Sequence, residues 1–343
     1  MTGLHLTRTE ENVAEIDALA ALLADHGGGR VGVEGVLADL PRRVRRTYAP
    51  HPRLLGRKVA RALTWDATDR RDPNWWPQGI SSSVRTSVTR DVLAVSWYAK
   101  NDHGSRVSFV DLASRRYQHV LLAEPTMTDG SPGLKPLKVH AGGIVWHGPY
   151  LHVAATGRGF FTCRLDDLLR VTDGSGLETH GHRYVLPVRF AYKARTDEGV
   201  EKLRYSFLTL DRSTEPPSLV AGEYGSAQQT RRLARIPTDP ETGLLATDQD
   251  GYSRPAVDER GQVRMQGAAV AEGVYYLTAS QGHWNPGTVY VGTPGEFRAV
   301  RWATPPGPED LVWWPATDLL WSVTEHPRRR WIFAMRRGSF DSR

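Results

Sequence analysis

The chain has 343 residues, 40% of them hydrophobic, an ordinary globular composition that fills either one large domain or two average ones. Its single cysteine, Cys163, excludes an intramolecular disulfide framework. The formal charge of +6 is concentrated at Arg42, Arg43, Arg45 and Arg46 and again at Arg328 to Arg330, Arg336 and Arg337, which reads as solvated surface ahead of a nucleic-acid footprint.

At the start of the chain Glu10, Glu11, Glu15 and Asp17 interrupt the stretch where a secretory signal would carry its apolar core. No run reaches the length of a membrane span, so a cytoplasmic protein is expected. Val13, Ile16, Leu19, Ala20, Leu22 and Leu23 recur at helical spacing and predict one helix, stopped by His26 and Gly27 to Gly29. A second, shorter helix is predicted around Val33 to Leu40. Pro41 and the arginine cluster lead into an irregular stretch ending near Arg57, and residues 1–56 read as a short helical appendage on a main domain of residues 57–343.

From about Lys58 the periodicity changes to strands of four to eight residues separated by Gly, Pro, Asn and Asp, and it persists to Phe340. The stretch HAGGIVWHGPYLHVAAT is the clearest unit, two strands around the turn His147-Gly148-Pro149. Comparable starts stand at Gln78-Gly79-Ile80, His140, Leu186-Pro187-Val188, Gln266-Gly267-Ala268 and Glu309-Asp310-Leu311. Five such units of about four strands each, with no helix between them, predict an all-β fold, a five-bladed β-propeller. The last unit lacks a fourth strand, which RKVARALTW at 57–65 would supply by joining the chain's ends. A β-sandwich with long insertions and a six-bladed ring, with two blades within 182–263, are the competing architectures.

The runs WWPQGI, VSWYA, RVSFVDL, HAGGIVWHGPYLHVA, YSFLTLDRST, SLVAGEYG and GPEDLVWWP resemble those of a family of uncharacterised actinobacterial proteins, many of them secreted. The resemblance spans residues 74–337. It implies the extent of the domain and carries no assigned reaction, and the missing signal sequence departs from the secreted members.

In a propeller the first residues of each innermost strand stand at one mouth of the central channel. The starts would therefore gather Gln78, His140, Gln266, Glu309 and Asp310 around one opening, with Val188 or Arg189 at the third blade. His140 is the expected general acid or base, with Glu309 or Asp310 as its partner or as a counter-charge. On a regular strand only one of these adjacent carboxylates would face the channel. The bland alternative is that all of these groups merely satisfy backbone and channel water.

Connections between second and third strands add His103, His283, Glu325 and His326, and Trp284 lies in a loop with Gly282, Asn285 and Pro286, a poor place for a core tryptophan. Trp75 and Trp76 precede Gln78. With Arg189, His103, His283 and Glu325, these tryptophans are the expected substrate contacts. The histidines lack the close spacing of a zinc site. The oxygen donors at the mouth suit Ca²⁺ or Mg²⁺ better, so the expected cofactor is a divalent cation or none. No P-loop, GxGxxG, GxSxG or HExxH is present. The reading that follows is an enzyme of hydrolase, lyase, isomerase or cyclase type acting on a small organic molecule at the channel mouth, with no nucleic-acid or membrane partner. A non-catalytic propeller that binds a protein or glycan is the alternative.

Overall fold

The computed structural model describes residues 3–48 and 52–341, with the backbone alone for 52 and 53; residues 49–51 of the irregular stretch expected before Arg57 lie outside the described residues. The chain opens with β1 (Leu4–Arg8), α1 (Val13–Asp25), β2 (Gly29–Arg30), α2 (Gly32–Ala38), β3 (Arg42–Arg43), β4 (Arg45–Arg46), α3 (Pro52–Leu55), β5 (Val59–Thr64) and α4 (Ala67–Arg71). The regular elements after that are strands and three single-turn 3-10 helices.

A first antiparallel set comprises β6 (Trp75–Ser82), β7 (Val92–Ala99), β8 (Ser105–Asp111) and β9 (Arg116–Thr128), with β10 (Ser131–Pro136) folded back on β9. The second runs β11 (Ile144–His147), β12 (Tyr150–Ala154) and β13 (Gly159–Arg164), passes the short β14 (Leu169–Arg170), and ends with β15 (Tyr184–Thr196) against β13. A parallel contact of β15 with β9, Val185 opposite Leu121, fuses these two sets into one continuous sheet. Separate sheets follow: β16 (Phe207–Asp211) to β19 (Ala256–Asp258) through β17 (Ser218–Gly222) and β18 (Leu233–Pro237), then β20 (Met265–Ala271) to β23 (Glu296–Thr304) through β21 (Val274–Ala279) and β22 (Gly287–Thr293). The last sheet is β24 (Pro308–Trp314), β25 (Leu319–Thr324) and β26 (Trp331–Arg336), completed from the start of the chain by β5, with Trp331 opposite Thr64. The first strands of the sets, β6, β11, β16, β20 and β24, lie side by side, and β24 returns to pack on β6. The fold is mostly β and propeller-like.

The inner strands of each sheet are buried on both faces, because neighbouring sheets cover them, whereas outer strands such as β23 are largely exposed. On β7, Val92 and Ala94 join one core cluster while Leu93, Val95 and Trp97 join the next. That is why such strands read as unbroken apolar runs instead of alternating ones.

Two expectations are corrected. Leu186-Pro187-Val188 does not begin a unit, because it lies within β15, the outer strand of the second set; the third set begins at β16, immediately after Arg204 to Ser206. The appendage is not purely helical. Its strands β1, β2, β3 and β4 add to β15, β14, β9 and β5 and cover edges that would otherwise present unpaired backbone. Its helix α1 buries Leu19, Ala20 and Leu23 against Leu169.

The short helix α4 is locked to the first sheet by the buried Asp69. The Asp69 carboxylate accepts from Arg106 Nη2 at 2.9 Å, His119 Nε2 at 2.9 Å and Arg42 Nη1 at 3.3 Å, and from the Tyr117 hydroxyl. Trp97 Nε1 donates to Ser108 Oγ at 2.8 Å, so the Ser108 hydroxyl is directed at His119 Nδ1, 2.7 Å away, and Nε2–H is left to face Asp69. Burial alone would raise the Asp69 carboxyl, but His119, Arg106 and Arg42 outweigh it and hold it far below the ordinary carboxylate range. Asp69→Asn strands the buried Arg106, while Arg42 keeps Asp66, and should cost about 3–5 kcal/mol, read as a lower urea midpoint. Because the folded-state pKa is depressed, this contribution is present above about pH 4 and is lost only as the pH falls below the ordinary carboxyl value. A variant with an unchanged midpoint at neutral pH would contradict the assignment.

Candidate functional site

The inner strands do not start regularly. Register shifts fall between Pro77 and Ile80 in β6, between Met265 and Gly267 in β20, and between Pro308 and Leu311 in β24. An inserted residue of this kind re-aims the side chains around it, and it allows Glu309 and Asp310, though adjacent, both to turn inward. Asp310 points into the ring: its Oδ2 accepts from the backbone N–H of Ile80 at 3.2 Å and of Ile144 at 3.4 Å, on two neighbouring inner strands. Glycine makes the approach possible, since a Cβ on Gly267 would stand 2.2 Å from Asp310 Cα and one on Gly143 would stand 2.3 Å from Leu208 N. Hydroxyls on the second strands tie the same layer together. Ser96 Oγ accepts from Gly79 N and donates to Ala141 O, and Thr278 Oγ1 donates to Glu309 O at 2.6 Å.

Glu309 instead opens on a cleft of about 400 Å³, shared with Gln78, His140, Gln266 and Glu325 and bounded on the far side by Arg204, Tyr224 and Gln229. Gln266 Nε2 donates to Glu309 Oε1 at 3.2 Å, and Gln78 Nε2 reaches Glu325 Oε2 at 3.4 Å. Burial raises the Glu309 carboxyl well above its ordinary range, and the charges of Glu325 and Asp310 push it further. Burial raises Glu325 too, opposed by the Gln78 hydrogen bond and by Lys100 and Arg330. Asp310 is raised chiefly by burial against the pull of backbone N–H groups. Burial lifts the Tyr98 hydroxyl to about 12, with Glu325 and Glu309 adding to the shift. His140 lies against the Tyr98 ring, centroids 4.6 Å apart. Its surface is open to the cleft, yet burial by the surrounding protein lowers its pKa and so disfavours the imidazolium form. The groups converging here are therefore two carboxyls with raised pKa values, an imidazole with a lowered one and primary amides. Such a set can donate a proton, accept one and hydrogen-bond a polar molecule.

The ring thus brings Gln78, His140, Gln266, Glu309 and Glu325 together. Trp76 stands beside them: Lys100 Nζ lies 3.3 Å above its ring, and His326 meets it edge-on. His283 lies against His326, centroids 3.9 Å apart, and Trp284 is 73% exposed with the Arg329 guanidinium over its ring. Other expected contacts lie elsewhere. Asp310 does not line the cleft; its Oδ2 is taken up by the amides of Ile80 and Ile144, and its Oδ1 is buried. Trp75 is buried under Arg106 and beside His182, on the Asp69 side of the strand. Arg189 sits on the outer strand β15, ion-paired with Glu11 and Asp167. His103 stacks on His180, so the loop histidines form separate pairs rather than one set. Among the described residues no group of three or more His, Cys, Asp or Glu is gathered in a way that could hold a metal ion.

Sequence reasoning missed Tyr98, Arg204, Ser206 and Tyr224. The signal for Arg204 and Ser206 was their place just before an inner strand, hidden by the misplaced third unit. Ser108, His119 and Asp69 form a connected serine–histidine–aspartate chain, but Ser108 is fully buried and its hydroxyl belongs to a structural relay, so it offers no nucleophile.

No protein-family model matches the chain, and no curated protein matches it. Among solved structures, a gluconolactonase from Xanthomonas campestris aligns over 86% of each chain at 14% identity with a TM-score of 0.38. The WD40 β-propeller domain of Doa1 aligns over 82% of this chain and 98% of that one, at 7% identity and a TM-score of 0.36. Hydrazine synthase from Kuenenia stuttgartiensis aligns over 76% of each chain at 13% identity, also at 0.36. Likeness at this level has no bearing on chemistry, and the architecture rests on the strand pairing. Among the described residues no helix is long and apolar enough to cross a membrane.

The raised carboxyls have a thermodynamic signature. A glutamate whose folded-state pKa lies above its ordinary 4.5 stays protonated after the unfolded chain has ionised, so it costs stability increasingly as the pH climbs past that value. Glu309→Gln should therefore melt above the wild type, with the gap widening between roughly pH 5 and pH 8. A gap that is constant or narrows across that range would mean that Glu309 is ionised in the folded protein.

Proposed function

We propose that the ring is a five-bladed β-propeller and that the cleft at its channel mouth is the active site of an enzyme converting a small, neutral, polar molecule by proton transfer. The observation that carries this reading is the meeting of Glu309 and Glu325, both with pKa values raised by burial, in one cleft with His140, whose pKa burial lowers. Carboxyls displaced upward by burial and mutual repulsion are a recurring feature of acid–base sites. In this reading Glu309 is the acid, Glu325 keeps its pKa high, and His140 takes up the proton released by substrate or water. Gln78 and Gln266 orient the polar groups of the ligand. One proton given and one accepted serve hydrolysis, elimination, isomerisation and cyclisation alike. Asp310 is a positioning residue behind Glu309. A Ca²⁺ or Mg²⁺ ion would enter only by displacing the protons of the two glutamates, so its binding would strengthen with pH.

The non-catalytic alternative draws on Trp284, whose exposed ring beside the cleft suits contact with a protein or glycan. The two readings separate in a mass-spectrometric screen of neutral metabolites incubated with wild type, His140→Ala and Glu309→Gln, each first checked for an intact melt. The enzyme reading predicts at least one compound converted by the wild type and slowed by about two to four orders of magnitude in each variant. Conversion that is equally fast in all three proteins removes both residues from the mechanism; binding to the wild type without conversion favours the alternative.

A further inference from the structure

The arginine run singled out in the sequence takes no part in the cleft. Arg42, on β3, is consumed by Asp66 and Asp69, but Arg46, on β4, stands at a different recess. There it lines a separate pocket of about 510 Å³ with Arg61 and Arg115, over a floor that includes Leu63, Leu112 and Trp321. Among the described residues no carboxylate lines this pocket. Among the described residues none of the three guanidiniums has a hydrogen bond, an ion pair or a ring contact.

The cations come from three different elements. Arg46 is on β4, opposite Leu63, and Arg61 is on β5, opposite Ala334. Arg115 is in the turn between β8 and β9, in the left-handed region at φ 58°, with its N–H on Asp111 O and its carbonyl accepting from Val44 N. Its backbone is thus pinned from both sides, which fixes where its side chain starts. That turn lies at the far end of β8 from the connection carrying Lys100, a strand of seven residues or about 20 Å. The pocket is therefore distinct from the acid cleft.

We propose that this pocket is a binding site for a small phosphate monoester with an apolar or aromatic body. Three guanidiniums converging without a counter-charge suit a tetrahedral dianion, whose several oxygens can each take a forked pair of N–H groups, whereas a carboxylate is saturated by one arginine. Leu63, Leu112 and Trp321 meet the body of the ligand, and Trp321, 4% exposed, stays in place as a rigid wall. A concave, apolar-floored recess fits a small molecule better than the open basic stripe that a nucleic-acid backbone requires.

The test uses phenyl phosphate as probe, titrated at low ionic strength by calorimetry and tryptophan fluorescence, with inorganic phosphate, phenol and a short DNA duplex as comparisons. The expected result is saturable binding of one phenyl phosphate per chain, tighter than either inorganic phosphate or phenol. Arg46→Gln with Arg61→Gln should weaken it by about tenfold or more through loss of two charge-assisted contacts. Both side chains are exposed, so the double variant should melt like the wild type. Glu309→Gln should bind the probe normally, which keeps this result independent of the reading of the cleft. No saturable binding, equal affinity in the double variant, or equal affinity for inorganic phosphate and phenyl phosphate would each overturn the proposal. So would a DNA duplex that binds tightly through these arginines while phenyl phosphate does not.

Discussion

A single carboxyl inside the ring holds the inner strands in register. Asp310 Oδ2 accepts backbone N–H groups from Ile80 on β6 and Ile144 on β11, while Asp310 itself belongs to β24 and lies against Gly267 of β20. Strands far apart in sequence therefore share one acceptor. A register shift at the start of β6 accompanies this arrangement, and glycines at 143 and 267 let the backbones close to distances that a Cβ would forbid. The carboxyl is buried at a cost, which the surrounding amides only partly offset.

That constraint also makes the cleft. Glu309 immediately precedes Asp310, so fixing one carboxyl inside the ring fixes the other at its mouth, on a strand instead of a loop. Glu325 arrives from the connection after β25, and the two acids meet where little water screens them. Their mutual repulsion and burial act in the same direction, and the amides of Gln78 and Gln266 stabilise without adding charge. The site is rich in hydrogen-bonding groups and carboxyls, whereas the arginine pocket at the other end of the strands gathers guanidiniums with no carboxylate among its described lining. The molecule therefore offers two recesses of opposite chemical character.

Much of this was legible from residues. The recurrent starts at Gln78, His140, Gln266 and Glu309 do meet, because a polar residue followed by glycine and an apolar run marks a strand that enters a crowded centre. The last sheet is completed by Val59–Thr64, the segment that the sequence offers as its missing fourth strand. Other features were hidden for physical reasons. The outer strand β15 contains a Leu-Pro-Val run that imitates an inner start, which displaced the third unit and concealed Arg204 and Ser206. Alternation along a regular strand implied that only one of Glu309 and Asp310 could face inward, and no residue type announces the bulge that changes this. Arg189 finds Glu11 across 178 residues, and Trp75 is drawn under Arg106; pairings of that range leave no local pattern.

The central claim is that burial and repulsion keep Glu309 and Glu325 from ionising together at neutral pH. Infrared difference spectroscopy between wild type and Glu309→Gln at about pH 7 addresses it directly, because protonated and ionised carboxyls absorb in separate regions. The account predicts that the substitution removes a protonated-carboxyl carbonyl band that the wild type displays. A difference spectrum containing only lost carboxylate bands would show that Glu309 is an ordinary anion and would contradict the account.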